Sequence, residues 1–98
     1  MGNAREYHVY ILTNPHHTVL YTGVTGNLAR RLEEHRRKDA SGFTHRYNAT
    51  KLVHVEAYPH AEDAIAREKQ IKGGSRQRKL DLINAHNPAW RDLADDLL

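Results

Sequence analysis

The chain has 98 residues, 39% of them hydrophobic, and a formal net charge of +3, which suits one small domain over residues 1–98 with a limited core and room for one site. It contains no cysteine, so disulfides, thiolate metal ligands and a cysteine nucleophile are excluded. No apolar run reaches membrane-spanning length and the N-terminus has no signal-peptide core, so the expectation is a soluble cytoplasmic protein.

Tyr7 to Leu12 (YHVYIL) is rich in aromatic and β-branched residues, with Tyr7, Val9 and Ile11 on one face and His8, Tyr10 and Leu12 on the other. That pattern predicts a strand covered on both faces. The turn residues Thr13 to His17 separate it from a second β-prone run, Val19 to Val24, and the simplest pairing is an antiparallel hairpin that makes Tyr10 and Tyr21 neighbours. Adjacent histidines such as His16 and His17 usually point apart, which makes a metal site there improbable.

The stretch Tyr21 to His35 (YTGVTGNLARRLEEH) reads as a strand end, a glycine turn and a helix of about residues 27 to 38. Gly23 and Gly26 allow unusual dihedrals or the close approach of another group, and Asn27 can cap the helix. Leu28, Arg31, Leu32 and His35 share one broad face at the helical period. A cation and an imidazole on the apolar side of a helix point towards a cleft; the plainer alternative is a snorkelling Arg31 and a satisfied, half-buried His35.

Asp39 to Thr50 reads as a polar connection, with Arg46 available for a phosphate and Phe43 or Tyr47 for stacking. Leu52 to Tyr58 (LVHVEAY) alternates, with Val53, Val55 and Ala57 opposite His54, Glu56 and Tyr58, as a third strand should. Ala61 to Lys72 is helical, with Ala61, Ala64, Ile65 and Ile71 as its apolar stripe and Glu68 inside that stripe. A buried carboxylate costs several kcal/mol unless paired or metal-bound. Glu68 is therefore either a metal ligand or the partner of a core-edge arginine such as Arg31.

Gly73-Gly74 ends that helix and Ser75 can cap the next, which turns Leu80, Leu82 and Ile83 to the core. Asn87-Pro88 has the form of an N-cap followed by proline at the first helical position, starting a last helix with Trp90, Leu93, Ala94 and Leu97. Charge is unevenly spread: residues 30 to 51 hold seven Lys or Arg against three acids, and residues 67 to 79 hold six against one. If the fold brings these segments together they make one positive surface for a polyanion; the alternative is a solvated pair of helices.

Tyr10 on the first strand, Tyr21-Thr22-Gly23 on the second, Arg31 eight residues beyond that glycine, then His35 and Glu68 form an ordered set. It resembles the GIY-YIG nuclease domain over about residues 6 to 73, and its specificity lies in the combined order. The resemblance implies an α+β fold, a small three-stranded antiparallel sheet flanked by helices. It also implies a site built from Tyr10, Tyr21, Arg31, His35 and Glu68, with Glu68 holding Mg²⁺ or Mn²⁺, Arg31 on the scissile phosphate and Tyr21 orienting water or phosphate. Tyr10 and His35 both remain open as the general base; the ordinary histidine pKa suits that role better than the ordinary tyrosine value. Glycine and isoleucine of the name-giving triplets are replaced here, by His8, Val9 and Thr22. Some relatives add an asparagine near the C-terminal end of the site, for which Asn84 and Asn87 both stand open.

The expected activity is metal-dependent hydrolysis of DNA, or less so RNA, at low sequence specificity, with Arg30, Arg46 and Lys72 contacting the nucleic acid. Two alternatives stand beside it. One is a nucleic-acid-binding module on the same fold with negligible turnover, the other a structural or partner-binding protein in which Glu68 merely pairs with Arg31.

Overall fold

Three runs of alternating apolar and β-branched residues form β1 (Tyr7–Thr13), β2 (Leu20–Thr25) and β3 (Lys51–Tyr58), paired antiparallel in the order β2-β1-β3. The computed structural model describes residues 6–37 and 42–97. Asp39, the far end of the expected first helix and the side chains of Phe43 and Leu97 lie outside the described residues.

Because β1 is central, both of its faces need cover, and the helices supply it in two layers. Tyr10 and Leu12 point to a cluster with Leu28 and Leu32 of α1 (Leu28–Arg36) together with Ala49, Leu52 and Ala94. Val9 and Ile11 point the other way, to Ala64 and Ile71 of α3 (Ala61–Lys72) and Ile83 of α4 (Arg76–His86). Each fully buried Leu or Ile contributes about 1.5 to 3 kcal/mol, so the two clusters hold the layers to the sheet. Caps set the helix starts: Asn27 Oδ1 accepts from Arg30 N at 3.1 Å, and Ser75 Oγ accepts from Arg78 N at 3.1 Å. No described helix is long and apolar enough to cross a membrane.

Several local expectations are corrected. The connection after α1 contains a short helix, α2 (Gly42–Tyr47). In β3 a bulge opposite Ile11 and Leu12 leaves Val53 as the extra residue, so Val53 and His54 both face α3 and α4 while Leu52 and Val55 face α1. Ile65 is 43% exposed and lies outside the core stripe. Asn87 caps the end of α4 rather than the start of a helix: its amide donates to Val53 O at 3.1 Å and Arg91 O at 2.9 Å, and its Oδ1 accepts from Arg91 N at 3.1 Å. Trp90 then takes a positive φ of 54°, which no helix continues, and the last helix, α5, is only Ala94–Leu97.

Candidate active site

The site begins with the hairpin register, which pairs Tyr10 with Gly23 and Leu12 with Tyr21. Side chains two residues apart share a sheet face, so Tyr10 and Tyr21 emerge together on the α1 side. A Cβ on Gly23 would lie 2.5 Å from both Cζ and Oη of Tyr10. The glycine is there because the tyrosine ring crosses it; among the described residues no glycine has a positive φ.

From above, α1 brings down His35 at its buried end. Tyr10 Oη and His35 Nε2 are hydrogen-bonded at 3.2 Å in the interior. Tyr21 completes a triangle of rings, its centroid 5.4 Å from His35 and 6.4 Å from Tyr10. Arg31, one turn before His35, donates from Nη1 to Glu34 Oε1 at 2.9 Å. Sequence reasoning missed Glu34, although its three-residue spacing from Arg31 was a usable signal.

The electrostatics follow from burial. Burial pushes the Tyr10 hydroxyl up to about 12, against the hydrogen bond and charge of Arg31, which pull it down. Burial also lowers His35 below the ordinary histidine value, and the Arg31 charge lowers it further. At neutral pH the arrangement is therefore a protonated tyrosine against a neutral imidazole beside a permanent cation.

Glu68 lies on α3, in the other layer, and is paired along its own helix. Its side chain is 12% exposed, and its Oε2 accepts from Lys72 Nζ at 2.8 Å, one turn along α3. The expected structural partner, Arg31, is taken by Glu34 instead. The Glu68 hydrogen bond raises the Lys72 pKa, and the nearby Tyr21 hydroxyl adds to that; α3 packs against β1 and β2. Lys72 thus lies within electrostatic range of Tyr21.

Among the described residues no three His, Asp or Glu side chains cluster into a metal cage. A single carboxylate nevertheless fits a hard divalent cation that keeps most of its water. Lys72 is 59% exposed, so its ammonium can leave the carboxylate for solvent. Glu68 is the residue that could hold such an ion.

The remaining expected residues lie apart. Arg30 is exposed on the outer side of α1, 3.7 Å from Glu34. Arg46 is exposed on α2, its guanidinium 5.6 Å from the centroid of the Tyr47 ring. Asn84 Oδ1 accepts from Trp90 Nε1 at 2.7 Å, and Asn87 is occupied by backbone groups. His17 stacks on Trp90 at 4.7 Å and its Nε2 meets Lys51 Nζ at 3.0 Å, with His16 exposed beside it. The two basic segments sit largely on helices of opposite layers, α1 against the cluster of Leu28 and Leu32 and α3 and α4 against that of Ala64, Ile71 and Ile83, with Arg67, Arg78 and Lys79 around one cleft.

A family model described as the GIY-YIG catalytic domain matches residues 6–81. A UPF0213 protein of Natronomonas pharaonis is 36% identical over 80 residues, covering 82% of this chain and 93% of that one. A UPF0213 protein of Syntrophus aciditrophicus is 43% identical over 82 residues, covering 83% and 92%. The solution structure of a UPF0213 protein from Bacillus halodurans superposes with a TM-score of 0.58 at 28% identity, covering 89% of this chain and 92% of that one.

Proposed function

The chain belongs to the GIY-YIG family, and from that premise we propose that it is a divalent-metal-dependent endonuclease hydrolysing the phosphodiester bonds of DNA through Tyr10, Tyr21, Arg31, His35 and Glu68. The observation that carries the reading is the buried hydrogen bond between Tyr10 and His35, 3.2 Å long and flanked by Tyr21 and Arg31.

A tyrosine held at about 12 is a poor base on its own at neutral pH. A neutral His35 on its hydroxyl changes this. As a water oxygen forms its bond to phosphorus and the P–O3′ bond breaks, the water proton passes to Tyr10 Oη while the Tyr10 proton passes to His35 Nε2. Arg31 receives the scissile phosphate and offsets its growing negative charge. Tyr21 orients the water or a phosphate oxygen. Glu68 would hold Mg²⁺ or Mn²⁺, which would supply Lewis-acid stabilisation of the developing charge, and the leaving 3′-oxygen takes its proton from solvent. Arg30, Arg46 and Lys72 contact flanking phosphates, without base readout.

The Glu68–Lys72 ion pair favours a second reading, in which the protein's own ammonium neutralises the carboxylate and the fold binds nucleic acid with negligible turnover. One experiment separates them. Single-stranded, duplex, nicked and branched DNA and RNA are incubated with the protein in Mg²⁺, Mn²⁺ or EDTA. Metal-dependent cleavage of DNA supports the nuclease; tight binding with no cleavage of any substrate supports the second reading.

A further inference from the structure

The basic segment at 67 to 79 is divided by α3 itself. Lys72, paired with Glu68, lies within electrostatic range of Tyr21, whereas Arg67, Gln70 and Ile71 face α4. There they meet Arg78, Lys79 and Leu82 around a cleft of about 140 Å³. Ile71 and Leu82 give it apolar lining, and among the described residues no carboxylate lines it.

The cations of this rim differ in what already holds them. Arg67 is fixed: its Nε and Nη2 donate to Glu56 at 2.9 and 3.1 Å, and its Nη1 to Gln70 Oε1 at 2.7 Å. This orients Gln70 and leaves its amide group as a donor. Lys79 Nζ donates to Gly74 O at 3.1 Å and Lys72 O at 3.4 Å, carbonyls that satisfy its geometry without cancelling its charge. Arg78 is exposed, and its guanidinium has no hydrogen-bond or ion-pair partner among the described residues.

We infer that this cleft is a second nucleic-acid site, taking the sugar–phosphate backbone of a strand on the layer opposite the Tyr10–His35 site. Phosphate oxygens meet Arg78, Lys79 and the Gln70 amide, and sugar carbons lie on Ile71 and Leu82. A backbone alternates charged and apolar groups in this way, and such contacts position a strand without reading its bases. A substrate that reaches both sites is held on two sides of α3. The inference rests on the reading of the chain as a nucleic-acid enzyme.

The test is a nuclear magnetic resonance titration of the ¹⁵N-labelled full chain with a short oligothymidylate in EDTA, where nothing is cleaved. Two separately saturating sets of shifted amides are expected, one at Tyr21 and Thr22, the other at Gly74, Arg78 and Lys79. Arg78→Glu reverses a charge on an exposed side chain, and Gln70→Glu puts a carboxylate in the cleft while still accepting from Arg67. Either variant should weaken the second set about tenfold or more and leave the first in place, and for a longer strand lower the salt slope by roughly one. Inorganic phosphate at equal phosphate concentration should leave the second set unmoved. Absence of the second set, its persistence at wild-type affinity in both variants, or its saturation by inorganic phosphate would overturn the inference. Loss of the first set alone counts against the catalytic reading and leaves this one standing.

Discussion

Tyr10 occupies the space that a side chain on Gly23 would need, with its Cζ and Oη each 2.5 Å from the position of a Cβ there. The ring is buried and hydrogen-bonded to His35, so it has no free route aside. Gly23→Ala should therefore cost about 1 to 3 kcal/mol of stability, against a gain below about 1 kcal/mol from the stiffer unfolded chain. A melting curve checks this, and cleavage should fall with it because the Tyr10–His35 contact is displaced. Unchanged melting with full activity would show that the ring moves freely.

The proton relay predicts that Tyr10→Phe and His35→Ala each slow cleavage by about a hundredfold, and that the double variant is little worse than either. His35 is held below the ordinary histidine value by burial and by Arg31. The acidic limb of the pH–rate profile should thus fall below the ordinary histidine midpoint and vanish in His35→Ala. Tyr10, held near 12 by burial, should add no alkaline limb in the working range. A His35→Ala enzyme with the wild-type profile would leave Tyr10 without its acceptor.

Acid should unfold the protein in two stages. His35 and His54 are both lowered by burial, so the unfolded chain binds protons first, and stability declines as pH falls below the ordinary histidine value. Burial raises Glu56, but hydrogen bonds from Arg67, His54 and Tyr58 outweigh it and bring the carboxyl from 4.5 to about 2. That stability is fully present above 4.5 and is lost as pH falls towards 2, in an amount of roughly 3 kcal/mol. Glu56→Gln should be less stable than wild type at pH 7 by a similar amount, with the gap closing towards pH 2. A constant gap across denaturation curves at several pH values would contradict the linkage.

Much of this arrangement was legible because it is local. Alternation located the three strands, the helical period located α3, and Asn27 and Ser75 announced their helices by capping chemistry. What escaped depends on long-range contacts. Asn87-Pro88 carries the letters of a helix start, yet Asn87 is held by Val53 across the core and ends a helix instead. The bulge at Val53 follows from its pairing with β1, and α2, at six residues, is too short for the helical period to reveal it. Within the candidate site, the tyrosines, Arg31, His35 and Glu68 are named by the resemblance to the GIY-YIG domain that their order carries. The partners of Arg31 and Glu68 were nearer than expected, at Glu34 and Lys72 on the same helices, and helical spacing alone could have found both.

Binding should be strongly salt-dependent, with a log–log slope of roughly −3 to −5 for about four to six neutralised phosphates. Arg46→Ala should weaken binding alike for all sequences. Lys72→Ala removes a cation and bares Glu68, so in EDTA it should weaken binding more than Arg46→Ala. In Mg²⁺ the bared carboxylate can hold the ion, and the difference should shrink. Affinities measured at several salt concentrations, with and without Mg²⁺, check both statements; a flat salt dependence would contradict phosphate contacts by these cations.

The most direct test is cleavage by Glu68→Gln, measured on a preparation whose melting temperature and DNA affinity are also known. Lys72 is largely exposed and Arg31 is satisfied by Glu34, so losing this i,i+4 pair should cost only about 0.3 to 0.5 kcal/mol. The variant should melt near the wild-type temperature and bind DNA as well or better. Its Mg²⁺-dependent cleavage should nevertheless drop by several orders of magnitude, because metal-assisted catalysis supplies several kcal/mol of transition-state stabilisation. A folded, binding-competent Glu68→Gln protein that cleaves at the wild-type rate would contradict the account.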